Sequence, residues 1–363
     1  MSFKLSYNFL LLITFIFSAC DNQTSHSSSR NKSLKSSIKY AKHFGIIHHN
    51  NKKIIWITEN YKDTLFYEIT KPYSKLAVLG TIPVFQLSLL NAISNIVAID
   101  DVKYYNYSKI KELVADKKIF QVFPNLQWNY EMLLQVQPDI IITYSHLSEN
   151  AQLQNILNKF RIQHLLYLDY LEQHPLGRAE WIKVLGCLID KDSLAEKIFS
   201  EIEQQYLQLK QITDTCQYRP SVFTEVMYGD AWYIAGNQSY IAQLIKDAGG
   251  HYVFDFHPYE NSRPYSFEYV LKYAQNADFW LHTQHFRSLQ QMKNNHPKHS
   301  LFKAFKNKNC FNNDKIRNEF GFNDYYESGI CQPHLILKDL IHILHPNILS
   351  NHTLFYYYQL SEQ

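Results

Sequence analysis

The chain has 363 residues, which at roughly 150 residues per domain leaves room for about two domains and one or two sizeable cores. Its 36 Lys and Arg against 33 Asp and Glu give a net charge of +3, and 46% hydrophobic with 19% charged is ordinary globular composition; this excludes a polybasic nucleic-acid binder and a disordered chain. No two of the ten glycines stand two or five positions apart, so neither G-x-G-x-x-G nor G-x-x-x-x-G-K-[ST] exists, and glycine-cradled nucleotide sites are excluded.

Lys4, the apolar run from Phe9 to Phe17 and the small pair Ser18-Ala19 read as an export signal over residues 1–19. The run is about half of the roughly 20 residues a spanning helix needs. Phe17-Ser18-Ala19-Cys20 resembles the lipobox of bacterial lipoproteins, with Phe17 where Leu is usual, which implies lipidation of Cys20; the alternative is a plain secretory signal. Residues 20–40 are Ser- and Asn-rich without apolar period and read as a tether. Cys187, Cys216, Cys310 and Cys331 contain no C-x-x-C, and export leaves a Cys310–Cys331 bridge open.

Residues 41–72 read as a small β extension: Ile46-Ile47, Lys53 to Thr58 and Thr64 to Ile69 as strands, with Asn50-Asn51 turning between the first two. Over residues 73–175 the apolar runs Leu76–Leu79, Ile96–Ile99, Ile140–Thr143 and His164–Leu168 alternate with helices expected at Pro83–Ser94, Asn129–Val136 and Glu149–Phe160. That is the pattern of a parallel sheet covered on both faces. Residues 176–213 predict a linking helix, interrupted at Asp190-Lys191, whose second segment starts on a Ser193/Glu196 capping box.

Across residues 214–363 the alternation returns, with strands at Ser221–Val226 and Asp278–His282 and helices at Ser239–Ala248, Phe267–Ala274 and Leu335–Leu344. Each half contains a helix, an Asp and an apolar strand, at Glu131…Asp139-Ile140-Ile141 and Glu268…Asp278-Phe279-Trp280. The fold class that follows is α/β: two Rossmann-like lobes with parallel-rich sheets, joined by one long helix.

In this order, Leu76 to Thr81, Asn129 to Ile141, Pro175 to Trp181, Tyr233 to Tyr240, Asp247 to Gly250 and Asn323 to Gly329 resemble the periplasmic substrate-binding proteins of ABC importers for ferric siderophores and vitamin B12, in the branch of Bacteroidetes-type bacteria. The resemblance implies a ligand cleft between two lobes, a lipid-held location in the periplasm, a permease dimer with its ATPase as partner, a small metal chelate as cargo and no resident cofactor. It implies further that Glu131 and Glu268, one per lobe, dock on the permease; the competing reading is an ordinary acidic residue in a first helical turn.

Ligand groups in such folds lie at the carboxyl ends of strands. Thr81, Tyr144, Tyr228, Trp232 and Tyr233 fall there, Arg263 and Arg287 are placed to pair with an anionic chelate, and Asn323, Asp324 and Tyr325 are added by the resemblance. Structural packing is the rival reading for each aromatic residue. His146, His282 and His285 lie near strand ends and leave direct metal binding open, as haem held by Tyr or His is left open. No H-E-x-x-H or G-x-S-x-G occurs, yet an enzyme or a ligandless scaffold on this fold remains an alternative.

Overall fold

The computed structural model describes residues 38–49, 52–60, 63–146 and 150–363. The expected export signal, Cys20, the tether up to residue 37 and the Asn50-Asn51 turn lie outside them.

The extension is an antiparallel meander of β1 (Phe44–His49), β2 (Lys52–Thr58) and β3 (Thr64–Ile69), with β2 central. Alternation sends Ile55 and Ile57 inward, and Phe44 packs on Trp181 at 4.9 Å between ring centroids. Just before it, Glu180 accepts the backbone N–H of Lys39, Tyr40 and Ala41 at 2.8–2.9 Å, and Glu172 accepts those of Lys42 and His43 at 2.9 Å. Charge-assisted bonds of this kind contribute about 1.5–3 kcal/mol each. They fix the chain on the linking helices.

The first lobe alternates β4 (Leu76–Val78), α1 (Thr81–Leu89), β5 (Ile96–Ile99), α2 (Ser108–Ala115), β6 (Phe120–Gln121), α3 (Tyr130–Val136), β7 (Ile140–Thr143), α4 (Ala151–Phe160) and β8 (Gln163–Leu166). Its sheet runs β6-β5-β4-β7-β8 with every pair parallel, so the chain winds outward from β4, returns, and winds the other way from β7. The switch point lies between β4 and β7. Helix α1 ends earlier than the pattern predicts because Asn91 turns left-handed (φ 51°), and the N–H groups of Asn91 and Ala92 close the last turn on Ser88 and Leu87.

The expected linking helix is three helices: α5 (Pro175–Glu180), α6 (Ile182–Leu188) and α7 (Asp192–Asp214), the last about 35 Å long at 1.5 Å per residue. The break at Asp190 is present (φ 58°), but the Ser193/Glu196 capping box does not form. Lys191 occupies the N-cap, and Glu196 instead meets the buried Lys183 at 3.0 Å. Helices α6 and α7 cross closely at Gly186, where a Cβ would stand 2.5 Å from that of Ala195.

The second lobe contains β9 (Ser221–Thr224), β10 (Met227–Tyr228), β11 (Ala231–Ala235), α8 (Tyr240–Asp247), β12 (His251–Tyr252), β13 (Ser262–Tyr265), α9 (Phe267–Ala274), β14 (Phe279–Leu281), α10 (Leu289–Asn295), α11 (Lys303–Lys306), β15 (Cys310–Asn312), α12 (Ser328–Cys331), α13 (Pro333–Leu344) and β16 (Tyr358–Gln359). Its main sheet runs β12-β9-β14-β15-β16, parallel except for β16, and places a second switch point between β9 and β14. Strands β10, β11 and β13 form a separate antiparallel sheet.

The internal repeat has a physical basis. Asp139 accepts the N–H and hydroxyl of Ser74 at 3.0 and 3.1 Å, and Asp278 accepts the same two groups of Ser221 at 2.8 and 2.7 Å. Each Asp therefore ties its own strand to the start of the neighbouring central strand. Against the upward push of partial burial, Lys303 and Ser221 bring Asp278 down to about 2. The four described cysteines Cys187, Cys216, Cys310 and Cys331 are all free, so the Cys310–Cys331 bridge is not formed; Cys331 donates from α12 to the Glu327 carbonyl at 3.3 Å.

Candidate functional site

At the first switch point, Leu79 and Gly80 follow β4 while Thr143 and Tyr144 close β7. Gly80 has φ 141°, and a Cβ there would stand 2.1 Å from the Tyr144 ring, so the missing side chain is what lets Tyr144 lie across the strand end. Beside it opens a cavity of about 620 Å³, lined by Leu79, Asp100, Tyr104, Phe123, Trp128 and Tyr144 among others. Phe123 and Trp128 pack at 4.9 Å. Burial pushes the Asp100 carboxyl up to about 6 although the Tyr105 hydroxyl donates to it at 2.6 Å. Leu126, 70% exposed and left-handed like Asn125 before it, stands on the rim.

The second switch point has a different backbone geometry and no glycine. Glu225 after β9 and His282 after β14 are both left-handed, at φ 69° and 57°. Non-glycine residues hold such angles only where their surroundings over-determine them. Here the Glu225 N–H donates to Leu281 at 3.1 Å, the Trp280 indole donates to the Glu225 carbonyl at 2.7 Å, His282 bonds the Tyr357 hydroxyl at 2.7 Å, and the Glu225 carboxylate faces the His282 ring at 3.5 Å.

A cavity of about 280 Å³ opens over this pair, and its lining comes from both sides: Tyr170 and Arg178 from the first lobe and its link, Glu225, Tyr240, His282 and Tyr325 from the second. Arg178 donates to the carbonyls of Glu172 (2.9 Å) and Tyr170 (3.1 Å), with its guanidinium 4.5 Å from the centre of the Tyr240 ring. Behind them Asp169 is wholly buried and accepts no bond from another residue; burial drives its carboxyl up to about 7, with Arg178 opposing. Tyr144 of the first cavity and Tyr170 of the second meet edge to face, with ring centroids 6.3 Å apart.

The lobes are also strapped together. Glu327, 1% exposed, accepts from the backbone N–H of Asn106 (2.6 Å) and Tyr107 (3.2 Å) and from the Asn106 side chain. Asn318 donates to the carbonyls of Lys103 and Tyr105 at 2.8 and 3.1 Å, and Phe322 meets Tyr104 edge-on. Burial pushes Glu327 up to about 7 against those hydrogen bonds.

Of the ligand residues expected from the sequence, Tyr144 and Tyr325 line the cavities. Thr81 opens α1 beside the first. Trp232 is 0% exposed within a cluster of Phe223, Trp280 and Phe302, because β9 runs on into the β10–β11 hairpin, which leaves the main sheet. Tyr228, 75% exposed, and Tyr233 stand on that hairpin and line neither cavity. Arg263 stacks on Tyr259, and Arg287 is paired with Asp314 at 3.1 Å and with the Tyr358 hydroxyl. Asn323 and Asp324 serve the strap: Asn323 caps its turn on the Tyr325 N–H, and Asp324 accepts from the Ser328 hydroxyl.

Glu131 and Glu268 are exposed in the first turns of α3 and α9, Glu268 lying 3.6 Å from Lys298. His146, His282 and His285 do not converge: His146 faces Glu59 at 3.6 Å, His285 packs on Phe286, and among the described residues no group of three or more His, Cys, Asp or Glu is placed to hold a metal. The sequence reading passed over Asp100, Asp169, Arg178, Glu225 and Tyr240. A signal was there for three of them: Asp100, Asp169 and Glu225 are charged residues that directly end or interrupt apolar strand runs.

A family model described as periplasmic binding protein matches residues 76–316. An uncharacterized lipoprotein of Methanocaldococcus jannaschii is 25% identical over 301 residues, 80% of this chain and 69% of that protein. Among solved structures, a possible iron-binding periplasmic solute-binding protein of Staphylococcus epidermidis superposes with a TM-score of 0.58 at 20% identity, over 76% of this chain and all of that one. A periplasmic heme-binding protein of Vibrio cholerae gives 0.56 at 19%, over 73% and 99% of the two chains.

Proposed function

The chain belongs to the periplasmic binding protein family, a family of solute-binding proteins and not enzymes, and from that premise we propose that it is the lipid-anchored capture component of an ABC importer, taking a ferric siderophore in preference to cobalamin. The observation that carries this reading is the pair of cavities, one at each switch point, the first lined largely by aromatic rings and the second combining tyrosines with charged and polar groups. Flat rings suit a bulky chelate, and the larger cavity falls within the usual range for small-molecule sites. The first twenty residues support anchoring through Cys20, and the placement of Glu131 and Glu268 on equivalent helices supports docking on a permease dimer coupled to its ATPase. Among the described residues no helix is long and apolar enough to cross a membrane.

The test is titration of the purified full chain with ferric chelates, cobalamin and haem, read by tryptophan fluorescence. Trp128 lines the first cavity and is the expected reporter, whereas Trp232 and Trp280 lie in the core and contribute a constant background. Saturable quenching by a ferric chelate alone is the expected result. A response to haem or cobalamin instead reassigns the cargo, and silence against the whole panel removes the capture role.

A further inference from the structure

We infer that the cleft selects a chelate whose net charge is positive or zero and excludes polyanionic chelates; this rests on the capture role above and names the ligand class for the same site. The charged groups on the two cavity walls are unequal. Asp100 lines the first, with no Lys or Arg among its described lining residues, and Glu225 and Glu260 line the second with Arg178. Asp169 lies buried close behind Arg178.

Arg178 gives two of its five N–H donors to carbonyls and lies over the Tyr240 ring, so a single, partly engaged guanidinium stands against the carboxylates of the second cavity wall. The two arginines that would welcome an anion are committed elsewhere, Arg287 to Asp314 and Arg263 to the face of Tyr259. Lys103, which reaches over Tyr104 at the first cavity, is held by Asp101 and Asn125 at 2.9 Å each. Among the described lining residues a polyanion entering here would meet three carboxyl groups against one partly engaged guanidinium, in a setting where charges act more strongly than in water.

A second observation is independent of charge. Tyr240 is 8% exposed on the wall of the second cavity and its hydroxyl has no hydrogen-bond partner. Buried polar groups are almost always satisfied, and a hydroxyl left open on a cavity wall is completed by what the cavity takes up. With Glu225 and Glu260 nearby as acceptors, the complement is a ligand edge carrying hydrogen-bond donors, such as an ammonium or amide N–H.

The experiment uses one ferric trishydroxamate scaffold with a single amine, left free (net charge +1), acetylated (0) or succinylated (−1), together with a ferric triscatecholate (−3) and the pair aquocobalamin (+1) and cyanocobalamin (0). Binding to the full chain is followed at 50 and 500 mM salt. At least tenfold weaker binding from +1 to −1, no binding of the triscatecholate and a smaller ratio at high salt are expected. The exposed Glu260→Lys should reverse or abolish the ratio, and a circular dichroism spectrum and melting midpoint matching the parent separate charge selection from misfolding. Equal affinity across the three charges, or tighter binding of an anion, overturns the inference and leaves the capture role standing. Preference for aquocobalamin with no hydroxamate binding supports the inference and reassigns the cargo, and failure of every probe overturns both.

Discussion

The two switch points meet the same demand in opposite ways. At Gly80 the first lobe makes room by omitting a side chain, and Tyr144 fills the space. At Glu225 and His282 the second lobe keeps two cavity-lining side chains in a left-handed conformation and holds them with Trp280, Tyr357 and each other. The first solution fixes shape and yields an aromatic cavity with one carboxyl. The second spends backbone strain on chemistry and yields a small cavity rich in charge.

The sharpest way to break this contrast is to give the first switch point a side chain. Gly80→Ala places a methyl group inside the Tyr144 ring at a φ that L residues rarely adopt, and overpacking and strain together should remove about 4 kcal/mol. Urea denaturation measures it. A loss below about 1 kcal/mol would mean that Tyr144 swings away freely, and the account of the first cavity would fall.

Next comes the strap that joins the two lobes. Glu327 is pushed up to about 7 by burial, so the folded state binds its proton more tightly than the unfolded chain does. Its contribution is complete below the ordinary carboxylate range and is lost as pH rises from about 4.5 through 7. Glu327→Gln keeps an acceptor oxygen without the charge. The stability difference between variant and parent should therefore move by roughly 3 kcal/mol in favour of Gln between pH 4 and 8. A flat difference would show that the carboxyl titrates normally and that the strap is open in solution.

The opposite exchange probes the second switch point. Glu225→Gly relieves the left-handed strain while deleting a carboxylate, so stability should stay within about 1 kcal/mol of the parent even as charge discrimination among ligands weakens. If it unfolds the protein, Glu225 is a structural keystone and the division between a shape-fixing and a chemistry-bearing switch point is lost.

What the sequence revealed follows the same division. Apolar runs report sheets buried on both faces, so Ile140–Thr143 and Ile96–Ile99 lie where periodicity put them, and the helix–Asp–strand repeat marked the two aspartates that tie neighbouring strands. Two- and three-residue strands such as Phe120–Gln121 and Cys310–Asn312 carry too little pattern to see. Site residues were legible only as positions after strands. Which side chain arrives there depends on events far away in the chain: the hairpin that carries Tyr233 off, the Asp314 that claims Arg287, the strap that takes Asn323 and Asp324.

The smallest effect on the fold is expected at the outer surface, where the two lobes present one carboxylate each. Glu131→Lys and Glu268→Lys should each change stability by no more than about 0.5 kcal/mol, since both side chains are exposed and the Lys298 neighbour of Glu268 is itself solvated. Ligand titration should be unchanged, because neither residue is among the described lining of the two switch-point cavities. With the cognate permease in vesicles, either reversal should lower ATPase stimulation and the double reversal should abolish it, since a partner dimer reads both lobes at once and exposed charges act chiefly on encounter and register. Stimulation that survives the double reversal would return both glutamates to ordinary first-turn residues favoured by the helix dipole.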